Sequence, residues 1–171
     1  GAVGCNVVDP AAGDLKPNDK HADITLSNGN LTATTASGSW VGVRATNSKS
    51  SGKWFFEAVS AGGKTMFAGI ASDGAGLNSF PGNDSMGAGY GLAADVVFQW
   101  GGAGSYGGET TAVGDIIGVA VDLDALTLSL YKNNVAQLID GVISSYRLPI
   151  FPMIAIANCS LQPPDSPPSR S

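Results

Sequence analysis

Short runs of period-two alternation, broken every few residues by glycine or asparagine, constrain this chain more than any other feature of its sequence. In Leu126-Thr127-Leu128-Ser129-Leu130-Tyr131 leucine alternates with Thr, Ser and Tyr. That pattern puts the leucines on one face of a strand and the polar groups on the other. The same reading fits Ile24 to Leu26, Leu31 to Thr34, Trp40 to Ala45, Trp54 to Ser60, Met66 to Ala71, Val96 to Trp100, Ile116 to Leu123 and Ile150 to Ala157. Many short strands with no convincing helix between them predict an all-β, antiparallel sandwich or barrel.

The turns agree. Asn28-Gly29 sits between two alternating runs, and both residues tolerate the positive φ of a hairpin turn. Val119 to Asp140 is the longest stretch free of Gly and Pro and could form a helix, but its β-branched, alternating first half and the Lys132-Asn133-Asn134 turn favour two strands. Two glycine-rich segments, Ser72 to Gly89 and Gly101 to Gly108, read as long loops, and such loops commonly carry function. Pro10 to Lys20 reads as an irregular polar excursion, and Gln162 to Ser171, with four prolines, as a solvated tail.

Composition narrows the function classes. Charged residues make up 13% of the 171 positions, about half the roughly 25% usual for soluble domains. Long exposed helices, which need charged solvent faces, are therefore not expected. The net charge is −5 with no basic cluster, which argues against nucleic acid as a partner, because phosphate binding starts from concentrated Lys and Arg. No apolar run reaches the roughly 20 residues of a membrane helix, so no membrane insertion is expected. The chain opens on glycine and reads as a processed or excised fragment, which leaves its localisation open.

Motifs with catalytic meaning fail on physical grounds. Gly102-Ala103-Gly104-Ser105-Tyr106-Gly107 matches G-x-G-x-x-G, but no room remains after it for the helix that would hold a pyrophosphate, so no cofactor is expected. His21 is the single histidine and lies in a polar segment without a G-x-S-x-G elbow. Glu57 and Glu109 are the only glutamates, and a glycosidase needs two carboxyl groups facing one cleft. Asp122 and Asp124 alternate at a strand end, which suits turn formation better than Ca²⁺ ligation, and no metal is expected. Trp40, Trp54, Phe56 and Trp100 fall on strands and read as core. Phe80 and Tyr106 sit in the glycine-rich loops, where an aromatic either anchors a ligand or pins the loop. Cys5 and Cys159 lie near opposite ends of the chain and form neither a redox pair nor a zinc knuckle; one disulfide or two separate thiols are both open.

Three ordered segments resemble the successive signatures of the SPRY domain: Ser51-Gly52-Lys53-Trp54-Phe55-Phe56-Glu57, then Gly114 to Asp124, then Leu128-Ser129-Leu130-Tyr131-Lys132-Asn133. Val8-Asp9-Pro10 and Leu148-Pro149 agree with the two ends of that family, and the resemblance spans about Val8 to Asn158. It implies a concanavalin A-like jelly roll of two antiparallel sheets and a non-catalytic binding module read by loops at one end. It also implies scaffold roles for Trp54, Glu57, Asp115 and Asp122. Where the family usually has Asn-Gly this chain has Asn133-Asn134, and Leu126 stands in a turn that usually holds Gly. Ala11 to Ala22 looks like a loop insertion. Jelly-roll ends commonly lie side by side, so the first and last strands are expected to pair and bring Cys5 near Cys159.

The expectation is thus one SPRY-like domain over 1–161 and a Pro/Ser-rich tail over 162–171. Its binding loops offer Phe80, Asn83, Asp84, Tyr106 and Glu109 to a protein partner or a cell-surface glycan. The low-charge, Gly/Ala/Ser/Thr-rich composition looks most like SPRY-like modules of bacteriophage virion and tail proteins, which implies membership of a larger assembly. The alternatives are a carbohydrate-active enzyme on the same fold and a purely structural decoration protein.

Overall fold

Alternation along the chain becomes alternation between core and surface. In the computed structural model, β6 (Lys53–Ser60) buries Phe56, Ala58 and Ser60 and turns Phe55, Glu57 and Val59 outward. Strand β12 (Thr127–Lys132) buries every second residue in the same way. The structure describes residues 6–8, 13–60, 66–91, 96–106, 114–143 and 148–159, apart from the side chains at 6–8, 96, 98, 102–106 and 140.

The strands form two seven-stranded antiparallel sheets, and the described residues contain no helix. The first sheet runs β13 (Val135–Val142), β12, β11 (Ile116–Asp122), β6, β1 (Asn6–Val8), β4 (Thr32–Thr34) and β3 (Thr25–Ser27). The second runs β10 (Gly102–Tyr106), β9 (Val96–Gln99), β8 (Gly87–Gly91), β7 (Met66–Ser72), β14 (Ile150–Ile156), β5 (Val41–Ala45) and β2 (Leu15–Lys20). Between them Phe56, Val119, Leu128 and Leu130 of the first sheet pack with Met66, Ile70, Tyr90 and Ile154 of the second. This is the expected all-β, antiparallel two-sheet sandwich.

Several local expectations need correction. Residues 15–20 are a strand, not an irregular excursion: β2 pairs with β5, and Asp19 is tied to Arg44 of that strand. Parts of both glycine-rich segments are strands as well. In β8 the residues are Gly-Ala-Gly-Tyr-Gly, and their small size reflects crowding. A Cβ on Gly89 would sit 2.9 Å from the Ala68 carbonyl oxygen and from Pro81 Cγ, and one on Gly91 would strike the Phe67 ring. The G-x-G-x-x-G run opens as β10, hairpinned to β9.

The first and last strands do not pair. β1 lies between β4 and β6 in one sheet and β14 between β5 and β7 in the other. The ends approach instead through an isolated bridge between Thr35, just past β4, and Cys159. The Asn28-Gly29 hairpin forms with a four-residue loop rather than a two-residue turn, and Asn28, Gly29 and Asn30 all take left-handed φ of 55°, 64° and 61°. Asn133 and Asn134 make a two-residue turn at φ 50° and 67°. Leu126 adopts φ 57° although a branched side chain disfavours it, and its side chain packs against the core in return.

Candidate functional site

The outer face of the second sheet is covered by the chain between β7 and β8. Phe67, Ala71, Met153 and Ala155 point away from the sandwich core, yet all are buried. The 73–86 loop supplies their cover with Leu77, Phe80 and Met86, joined by Trp40 from the segment before β5. Phe80 stacks on Phe67 with centroids 4.1 Å apart, and Trp40 meets both rings edge-on at 5.0 and 5.9 Å. The loop is therefore a third layer rather than a free flap.

Polar contacts fix its path. Gly42 N donates to Leu77 O at 2.8 Å, and Gly101 N donates to Gly82 O at 2.9 Å, which brings the β9–β10 turn beside the loop. The Asp84 carboxylate accepts from Met86 N at 2.9 Å and Gly76 N at 3.2 Å, closing the loop on itself. Beneath it lies Arg44, 3% exposed, whose Nη1 donates to Ala75 O at 2.7 Å. Its Nε and Nη2 donate to the two Asp19 oxygens at 2.8 and 2.7 Å. Burial disfavours the Asp19 carboxylate, but the Arg44 hydrogen bonds and charge, with Lys16 behind them, outweigh it and hold its pKa below the ordinary value.

The sequence-proposed loop residues separate on this frame. Phe80 is half-buried with one ring face on Phe67, and Asp84, though exposed, holds backbone amides. Asn83 is exposed at the tip next to Ser85. The backbone of Tyr106 pairs with Val96, whereas its side chain and all of Glu109 lie outside the described residues. Trp40, read from the alternation of Trp40 to Ala45 as a core residue, is not one. It sits just before β5 and packs half-buried on the outer face of the second sheet against Phe67 and Phe80, because alternation gives a side chain's parity but not which face a third layer will cover.

On the first sheet, Asp115 Oδ1 accepts from Asn133 Nδ2 at 3.0 Å, and Asn133 Oδ1 accepts from Ile116 N at 2.9 Å, so the pair closes two turns at one end. Asp122 Oδ1 accepts from Ala125 N at 2.9 Å and Asp124 N at 3.0 Å. The Ala125 hydrogen bond leads in depressing its pKa; burial opposes, and Asp124 N and Lys53 add to the depression. Trp54 stacks on Phe56 at 5.4 Å and packs at the core edge, its Nε1 buried without a partner. Glu57 is on the outer face opposite Gly118. Cys159 is disulfide-bonded; Cys5 lies outside the described residues, as do residues 160–171 with the expected tail. Among the described residues no group of three or more His, Cys, Asp and Glu is placed to hold a metal ion.

No family model matches the chain, and no curated protein matches its sequence. Solved structures do match its fold. The SPRY domain of human HERC1 superposes with a TM-score of 0.68 at 16% identity, over 86% of this chain and 92% of that one. The TRIM65 PSpry domain does so with 0.67 at 14% identity, over 86% and 85%. Stonustoxin matches with 0.61 at 19% identity over 86% of this chain, which corresponds to 26% of the toxin chain. At these identities the likeness establishes a SPRY-type fold.

Proposed function

We propose that this chain is a non-catalytic recognition module that binds a protein partner through the rim formed by 37–40, 78–85 and 100–101. One observation carries the reading: the 73–86 loop is anchored by Phe80, Asp84 and Leu77 while its Asn83–Ser85 tip stays exposed. A tip held in place before contact loses little conformational freedom on binding. SPRY-fold neighbours and the binding role that the sequence resemblance implied support the same reading.

Photo-crosslinkers placed at positions 83 and 85, with a control at the outward Ile116 on the opposite sheet, test it. Crosslinks to a protein from 83 and 85 are the expected result; crosslinks from 116 alone would place the binding elsewhere. The finer proposal is a bacteriophage virion, in which the module is part of a tail, fibre or capsid decoration, supported by its low charge and high glycine content. Its test is whether the chain is present in purified particles at stoichiometric amount. Single SPRY-like organisation over 1–161, with 162–171 as a tail, belongs to the same proposal, and limited proteolysis that removes only the last residues would support it.

A further inference from the structure

The two sheets differ in what covers them. Strands β5, β7, β8 and β14 of the second sheet are buried on both sides along their whole length, whereas β6, β11 and β12 of the first keep part-exposed residues on their outer face. Antiparallel register sets their outward residues in rows: Lys53, Asp122 and Thr127; then Phe55, Ala120 and Ser129; then Glu57, Gly118 and Tyr131. The central strand contributes only Ala120 and Gly118 where its neighbours carry larger groups. The face is consequently sunken, with a trough of about 410 Å³ bordered by Lys53, Phe55, Asp122, Thr127 and Ser129.

Phe55 is 46% exposed, an unusual setting for so large an apolar ring. Its ring lies over Gly118, where a Cβ would come within 3.1 Å of Cε2 and Cζ, so the side chain is laid across the floor rather than extended into water. Around it stand two hydroxyls and one opposed charge pair, Lys53 Nζ being 3.7 Å from Asp122 Oδ2. Because the pair cancels, a ligand's net charge gains nothing here. A ligand with one apolar face and a girdle of hydroxyls matches both the ring and its polar border. An added peptide strand has nowhere to pair, since β6, β11 and β12 are all interior strands of the sheet.

We propose that this trough binds a neutral saccharide, one pyranose ring resting on Phe55 while its hydroxyls meet Lys53, Asp122, Thr127 and Ser129. The site binds without cleaving. On this face Glu57 is level with Gly118, four residues along β11 from Asp122, which sets their backbones roughly 13 Å apart, beyond the spacing of a glycosidase pair. The proposal is independent of the loop rim, which lies over the other sheet.

Titration of the ¹⁵N-labelled chain with maltose, cellobiose and lactose tests it. Saturable amide shifts at Phe55, Ala120 and Ser129 are expected with at least one of the three. Phe55→Ala should weaken that binding about tenfold or more, and Thr127→Val should weaken it with the spectrum otherwise unchanged. Absence of saturable shifts on this face with all three sugars overturns the proposal. So does binding there that survives Phe55→Ala, or an apolar peptide that binds there regardless of Thr127→Val.

Discussion

Arg44 and Asp19 form a two-pronged ion pair, 2.7 and 2.8 Å between their atoms, that fastens the edge strand β2 to β5. The third arm of the guanidinium reaches Ala75 O at the root of the covering loop, so a single buried cation joins strand and loop. Removing its carboxylate partner leaves the charge enclosed. Asp19→Asn should cost about 2 to 3 kcal/mol, somewhat less than a fully enclosed pair because Asp19 is 20% exposed. Arg44→Met should relieve part of that cost in the double variant, and urea unfolding of the four-member cycle should show coupling of at least about 1 kcal/mol.

Acid should act on the same pair. The folded-state pKa of Asp19 lies below the unfolded value, since burial, which raises it, is outweighed by Arg44 and Lys16. Its stabilisation is therefore complete above the unfolded pKa of about 3.9 and is lost as pH falls through the lower folded value. Asp122, held down mainly by the Ala125 amide, has the same sign. The melting temperature should be insensitive to these groups from neutral pH to about 5 and should drop below about 4. In Asp19→Asn the drop should be shallower; an equally steep drop would remove Asp19 from its cause.

Phe80 should behave as a fastener. Stacked on Phe67 and edge-on to Trp40, it ties the loop to the outer face of the sheet by an aromatic cluster. Phe80→Ala should destabilise the fold by about 2 kcal/mol, less than for a fully buried ring because Phe80 is only half-buried. Amide exchange over 73–86 should accelerate well beyond that of β7 and β14. Equal acceleration everywhere would mean the ring supports the whole core rather than the loop.

The fold was legible where one face of a strand is wet. β6, β11 and β12 announce themselves by alternation because only one side of each is buried. β8 did not, because both its faces are packed and three of its five residues are glycines chosen by crowding; composition there imitates a loop. β2 was hidden by Pro17 and its charges, which on an edge strand block further pairing rather than prevent a strand. The covering role of the 73–86 loop depends on contacts with Phe67 and Trp40, distant in sequence, and no local pattern encodes them. Phe55 was not singled out in the sequence, although it alternates with Trp54 and Phe56, which take the inward positions, and that parity held the signal that it faces outward.

Cys159 is disulfide-bonded, and the sequence holds one other cysteine, Cys5. The bridge of Cys159 to Thr35 sets it at the end of β4, and β1 pairs with β4 through Asn6 and Ala33, so the strand that follows Cys5 runs beside the strand that leads to Cys159's partner. We expect an intrachain Cys5–Cys159 bond that closes nearly the whole chain. Intact mass should rise by about 2 Da on reduction, as two electrons and two protons convert the bond to two thiols, with no dimer band on a non-reducing gel. Loss of so long a constraint should lower stability by about 2 to 4 kcal/mol, less any native-state strain released. A disulfide-linked dimer, or a melting temperature indifferent to reduction, would mean that the bond joins two chains or constrains nothing.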